Sequence, residues 1–299
     1  KWTLGAPTVA LTANKTDVIY GETITLTATV SQSGGDLTYA WYKDSEKLNG
    51  DDETLTLSNV ADSGSYTVKV TATSGDGQQT TAEASITVSI TPAPVEIPDP
   101  STTKFIYNGQ EQTYPIADNT LYTVTGNQQT DAGDYTVTVS LKDKDNYTWA
   151  DGNAEDRTYS FTITPKTITA TWSGLTQVYG TTEQVKATLS GIVSGDDVAV
   201  SIAGVAQTAG SHPLTASLTG DDTDNYTLKN GTETLPIRPK TVGFTGSGNA
   251  VEGDGTAKTA TVAPTDNALT QTDYAVTYRQ GTGTVAAPTA VGSYEIWVE

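Results

Sequence analysis

Apolar and polar residues alternate with a period of two along most of this chain, and no stretch shows helical periodicity. Ile24-Thr-Leu26-Thr-Ala28-Thr-Val30 alternates strictly, as do Tyr66-Thr-Val68-Lys-Val70, Tyr135-Thr-Val137-Thr-Val139 and Leu214-Thr-Ala216-Ser-Leu218. Tyr274-Ala-Val276-Thr-Tyr278 and Tyr294-Glu-Ile296-Trp-Val298 follow the same rule. Each run places its apolar residues on one face and Thr, Ser or Lys on the other, the signature of antiparallel sheets with one buried face. Clusters of Gly, Asp and Asn separate the runs and predict turns. The pattern predicts an all-β protein.

The same signals recur at a period of about 70 to 80 residues, the size of a whole domain. Gly-x-Tyr opens an alternating strand at Gly64/Tyr66, Gly133/Tyr135 and Gly292/Tyr294, and Gly210/His212 holds the same place with His for Tyr. Asp-Asn-Tyr-Thr occurs at Asp145 and again at Asp224, and Pro-Lys-Thr followed by Ile or Val occurs at Pro165 and at Pro239. These landmarks predict modules over 1–91, 101–165, 166–239 and 240–299. Residues 92–100 hold four of the 12 prolines and are expected to form an extended, semi-rigid linker. The fourth module stops at the strand after Tyr294, so its closing strands are expected beyond residue 299.

The first module resembles a bacterial immunoglobulin-like domain. Trp41, in Tyr-Ala-Trp-Tyr-Lys, stands where such a domain keeps its core tryptophan, and Asp62-Ser-Gly64-Ser-Tyr66 resembles a tyrosine corner. The two core cysteines of that family are absent; Val68 takes the place of the second and Ala28 that of the first. The third module resembles the MBG (YGX-type) domain of large bacterial surface proteins, through Val178-Tyr179-Gly180-Thr181, Ala209-Gly210 and Asp224-Asn225-Tyr226. The second is similar through Ile106-Tyr107-Asn108-Gly109, Ala132-Gly133-Asp134-Tyr135 and Asn146-Tyr147-Thr148-Trp149, the fourth only through Ala290-Val-Gly292-Ser-Tyr294. The resemblance implies tandem immunoglobulin-like β-sandwich modules and an extracellular setting, with attachment to a cell wall through a region outside this chain. It names no ligand.

Between the last three modules strand passes into strand through Ile163-Thr-Pro165-Lys and Ile237-Arg-Pro239-Lys, where proline restricts bending. The modules are therefore expected to stack as an elongated rod. A ten-residue strand spans about 33 Å, so four modules in line should reach about 120 to 150 Å. Small-angle scattering should return a maximum dimension in that range, and the dimension of a compact globule of this mass would refute the rod.

Composition narrows the function classes. The chain has 35 acidic against 16 basic residues, a formal charge of -19 that repels nucleic acid and anionic membranes. Cysteine is absent, which excludes disulfides, thiolate metal sites and a Cys nucleophile. Methionine is absent too, so the chain is expected to begin inside a longer precursor. No apolar run is long enough for a membrane-spanning helix. A monomer is expected.

His212 is the single histidine, and its place in the repeat is that of the corner tyrosine, which points to a structural hydrogen bond. Trp41, Tyr66, Tyr135, His212 and Tyr294 are thus the structural candidates. Asp221-Asp222-Thr-Asp224-Asn225 and Asp143-Lys-Asp145-Asn146 carry enough oxygens to raise calcium, but neither has EF-hand spacing and Asp and Asn favour turns on their own account. No cofactor is expected, with calcium at Asp221, Asp222, Asp224, Asp143 or Asp145 the weak exception. Modules this small leave little room for a cleft beside their core, so no catalytic residue is expected. Trp2, Trp149 and Trp297 are not all obvious core positions; core packing explains most of the aromatics, and carbohydrate stacking stays open. Lys166 and Lys240 open first strands, where some adhesin modules place an isopeptide lysine; their position at junctions favours exposed lysines. The sequence therefore predicts a non-catalytic structural or adhesive stalk segment of a bacterial surface or secreted protein. The alternatives are a recognition module for host glycan, mucin or immunoglobulin, and the accessory region of a secreted glycoside hydrolase.

Overall fold

In the first module, the alternating strand Gly64–Thr73 buries Tyr66, Val68, Val70 and Ala72 and turns its Thr and Lys residues outward. It lies inside a five-stranded sheet ordered Asp17–Ile19, Gln79–Thr91, Gly64–Thr73, Asp36–Lys43, Glu46–Lys47. A three-stranded sheet of Thr8–Ala13, Ile24–Ser31 and Thr54–Leu57 supplies the other layer. Ile24, Leu26, Ala28 and Leu57 from the smaller sheet pack with Trp41, Tyr66, Val68, Val88 and Ile90 from the larger. This strand order is that of an immunoglobulin-type sandwich. Trp41 stands opposite Val68 in the ladder and is 1% exposed, and packing alone closes the core where that family has a disulfide.

The coordinates are a computed structural model that describes residues 4–31, 34–100, 104–247, 250–266, 269–285 and 287–299. The chain divides into two compact units. The first comprises Lys1–Lys166, Val193–Gly195 and Asp224–Thr227; the second comprises Thr167–Ile192, Asp196–Thr223 and Leu228–Glu299.

Within the first unit, the second module builds a four-stranded sheet ordered Phe105–Ile106, Arg157–Thr164, Gly133–Leu141, Tyr122–Thr125. Its core gathers Val95, Ile116, Val139, Leu141 and Trp149. Residues 92–100, expected to be extended and semi-rigid, include a paired strand: Ala93–Val95 runs parallel to Tyr147–Trp149, Val95 is 3% exposed, and the Pro98 carbonyl accepts the Tyr159 hydroxyl at 2.7 Å. A proline-rich segment can do this because an edge strand tolerates proline where no ladder N–H is needed. Trp149 is a core residue, fully buried, with its indole N–H donated to the Glu155 carbonyl at 2.7 Å.

In the second unit, the third module repeats the same four-stranded order: Gln177–Val178, Thr232–Arg238, Gly210–Thr219, Ala199–Ala203. Leu214, Leu235 and Ile237 form its buried centre, with Trp172 and Ile202 against them. The fourth module comprises the hairpin of Phe244–Ser247 with Thr261–Pro264 and a three-stranded sheet ordered Gly283–Val285, Val276–Gln280, Glu295–Val298. No helix among the described residues is long and apolar enough to cross a membrane.

Candidate functional site at the module corners

The Gly-x-aromatic repeat makes the same corner four times. The Tyr66 hydroxyl donates to the Asp62 carbonyl at 2.7 Å, Tyr135 to Asp131 at 2.8 Å, and Tyr294 to Ala290 at 3.1 Å. The ring Nε2 of His212 meets the Thr208 carbonyl at 2.8 Å. In every case the partner lies four residues back, across a glycine two residues before the ring. The ring folds back over that glycine: a Cβ on Gly133 would stand 3.2 Å from the Tyr135 hydroxyl. In the first module the turn is held further, because the Asp62 carboxylate accepts the Ser58 and Asn59 amides at 2.9 and 2.8 Å. Ser63 also exchanges hydrogen bonds with the Ile90 backbone.

Burial, then the Asp62 and Asp44 carboxylates, push the Tyr66 phenol up to about 12. Burial and Asp131 raise Tyr135 in the same direction. The sign follows: below pH 10 Tyr66 is neutral in both states, and above it the unfolded chain ionises while the folded corner resists. Stability of the first module should therefore fall as pH rises from 10 toward 12. Tyr66→Phe should cost on the order of 1 kcal/mol at neutral pH. It should also flatten the alkaline loss. Thermal melts of both proteins at pH 8 and pH 11 check this, and an equal alkaline loss in the variant would count against a buried corner role.

The Asp-Asn-Tyr-Thr loops meet these corners. Both contacts lie inside the first unit. The Asn146 side-chain oxygen accepts the Val60 amide at 2.9 Å, and the Tyr147 ring stands edge-on to Tyr20, with centroids 5.2 Å apart. The Asn225 oxygen accepts the Ala132 amide at 2.7 Å, its amide group reaches Asp131 at 3.2 Å, and Tyr226 stands edge-on to Tyr107 at 5.5 Å. The Tyr226 hydroxyl accepts the Val193 amide at 2.9 Å, and the Val193 side chain packs against Gly109, where a Cβ would approach it to 2.6 Å. A motif whose first reading was a turn is thus an interlocking contact. Its repetition was the available sequence signal.

The acidic loop residues serve as turn anchors. Asp143 accepts the Asp145 and Asn146 amides at 3.2 and 3.1 Å and the Asn146 side-chain amide at 2.9 Å, which orients Asn146 toward Val60. The bond from the Asn146 side chain is the main cause that holds the Asp143 carboxyl below its ordinary range. Asp222 accepts the Asp197 amide at 2.7 Å, and the Asp221 amide points to the Asp197 carboxylate at 3.4 Å. Asp224 and Asp145 are the first residues of the two interlocking loops. Among the described residues no three His, Cys, Asp or Glu side chains converge as a metal would require.

Trp297 is 43% exposed, with the Arg279 guanidinium 3.8 Å from its ring centre. Trp2 lies outside the described residues. Lys240 pairs with Asp266 at 2.5 Å as a half-exposed surface ion pair. Contrary to expectation, the fourth module does contain a cleft, of about 780 Å³, lined by Val251, Lys258, Tyr278, Val291 and Tyr294 among others. Glu252 is the one carboxylate among its described lining residues.

The two-layer first module and the corner repeated on the β-sheets that follow it make the chain a tandem array of immunoglobulin-like β modules. No protein-family model matches it, and no curated protein is significantly similar. Among solved structures, three N-terminal domains of the highly immunogenic outer capsid protein of bacteriophage RB49 align with 79% of this chain and all of theirs, at 16% identity and a TM-score of 0.25. SGBP-B of the Bacteroides ovatus mixed-linkage glucan utilization locus, solved in complex with a mixed-linkage heptasaccharide, aligns with 80% of this chain and 72% of its own, at 14% identity and a TM-score of 0.21. A structure from a 1.5-MDa bacterial ice-binding adhesin aligns with 78% of this chain and 99% of its own, at 13% identity and a TM-score of 0.25. Similarity this remote assigns neither activity nor partner.

Proposed function

We propose that this chain is a non-catalytic structural stalk segment of a bacterial surface or secreted protein, serving adhesion by projecting another region, in which MBG-type modules follow an immunoglobulin-like one. The observation that carries this reading is the interlock between the first two modules. Asn146 bonds the corner backbone of the first module, Tyr147 caps Tyr20, and the segment between them is a paired strand. A segment built to hold and space other parts needs such fixed joints, whereas a recognition domain on a tether does not. The acidic surface suits an extracellular stalk, and its partner on this reading is a host glycan or protein met by whatever the stalk presents.

The test has two arms. The purified chain should hydrolyse none of a panel of polysaccharides and peptides; turnover that disappears on mutation of one carboxylate would overturn the non-catalytic reading. Applied to a glycan array and to host secretions, it should retain nothing specifically. Saturable capture of one glycan or one protein would make it a recognition module instead.

A further inference from the structure

Each of the first three modules has a short edge strand running parallel to the closing strand, and each edge strand leads into a tyrosine. The pairs are Ile19-Tyr20, Ile106-Tyr107 and Val178-Tyr179. The tyrosine amides all donate to the closing strand: Tyr20 to Thr91 at 2.8 Å, Tyr107 to Thr164 at 2.9 Å, Tyr179 to Arg238 at 2.8 Å. On its other side the closing strand pairs with the corner strand, with Gly64 opposite Val88, Gly133 opposite Ile163 and Gly210 opposite Ile237. The register thus brings a tyrosine and a corner turn to the same end of the sheet three times.

Twice that end is occupied by an Asp-Asn-Tyr-Thr loop: the asparagine oxygen takes a corner amide and its tyrosine caps the edge-strand tyrosine. Tyr107, capped by Tyr226, is 4% exposed and Tyr20, capped by Tyr147, is half-buried, while Tyr179 is 53% exposed. Both copies of the motif in this chain are already engaged, and the fourth module carries none within its residues.

We propose that Tyr179 and the corner Thr208-Ala209-Gly210 form a third socket, and that its occupant is the Asp-Asn-Tyr-Thr loop of another module of this kind. The incoming tyrosine takes the face of Tyr179, and the asparagine oxygen takes the Ala209 amide, the counterpart of Ala132. The third socket differs in one respect. Thr208 stands where Asp131 receives the asparagine N–H group in the second module, so this joint is held by the ring contact and the carbonyl alone. Such a contact is weak between separate molecules and strengthens when the loop is tethered nearby at an effective concentration of about millimolar. The inference rests on the reading of these contacts as joints.

A cyclised peptide of residues 142–150 provides the probe, titrated to millimolar concentration into the isotope-labelled 299-residue protein. Saturable amide shifts confined to residues 178–181 and 208–210 are expected. They should vanish with a peptide carrying Ala for both Asn and Tyr, and with Tyr179→Ala in the protein. In parallel, tetranitromethane should nitrate Tyr179 well before Tyr107, and the peptide should slow the reaction at Tyr179. Absence of shifts at Tyr179 and Ala209, or equal shifts with the double-alanine peptide, overturns the socket. Either result leaves the hydrolysis and glycan-array outcomes untouched, so the two readings fail separately.

Discussion

Trp149→Ala is expected to destabilise the second module by about 3 to 5 kcal/mol, the cost of emptying a large buried aromatic site. Trp149 is fully buried among Val95, Ile116, Val139 and Leu141, with Tyr122 against its ring and its indole N–H bonded to the Glu155 carbonyl. It also lies on the strand that pairs with Ala93–Val95, so the cavity opens where the second module is tied to the first. Single domains hold only about 5 to 15 kcal/mol in all, so the variant should leave the second module partly unfolded at moderate temperature. Amide exchange at Val137 and Val139 reads that module, and exchange at Val68 and Val70 is the internal control. Trp149→Phe should retain much of the packing and lose the Glu155 bond, for an intermediate effect. Unchanged exchange at Val137 and Val139 in the alanine variant would show that the core does not depend on this ring.

Asn225→Ala carries the second large effect. Asn225 is 5% exposed and offers its oxygen to the Ala132 amide and its N–H group to Asp131. Removing the side chain leaves the Ala132 amide without that acceptor, at a cost of about 1 to 3 kcal/mol. The amide of Ala132 should then exchange about ten to a hundred times faster, since each 1.4 kcal/mol is tenfold. Asn225→Asp keeps an acceptor for Ala132 but sets a second carboxylate against Asp131. Its defect should therefore appear at neutral pH and diminish in acid, where one of the pair takes a proton. An Asp131→Ala cycle would isolate that pairwise part. Unaltered exchange at Ala132 in Asn225→Ala would remove the contact from the list of joints.

The structural candidates and the acidic loops separate along a physical line. At Tyr66, Tyr135, His212 and Tyr294 the corner is local: ring, glycine and carbonyl lie within five residues, so spacing alone implies the bond. The Asp-Asn-Tyr-Thr loop was visible as a repeat but not as a joint. Asn146 meets Val60 and Asn225 meets Ala132 across 86 and 93 residues, and nothing local distinguishes such an asparagine from one that merely turns the chain. The burial of Trp149 likewise comes from other segments, through Val95, Ile116, Val139 and Leu141.

The long alternating strands and the face each buries followed from the sequence by itself, because alternation with period two states which side chains need cover. The tertiary structure decided which strands are neighbours and in which direction they run. Alternation carries no direction, so the parallel edge strands at Asp17–Ile19, Phe105–Ile106 and Gln177–Val178 had no signature of their own. Nor could proline content show that Ala93–Val95 completes a sheet, since its partners at Tyr147–Trp149 lie more than fifty residues away. Those long-range pairings bring the corner and the edge-strand tyrosine together at one end of each sheet, and so create the joints.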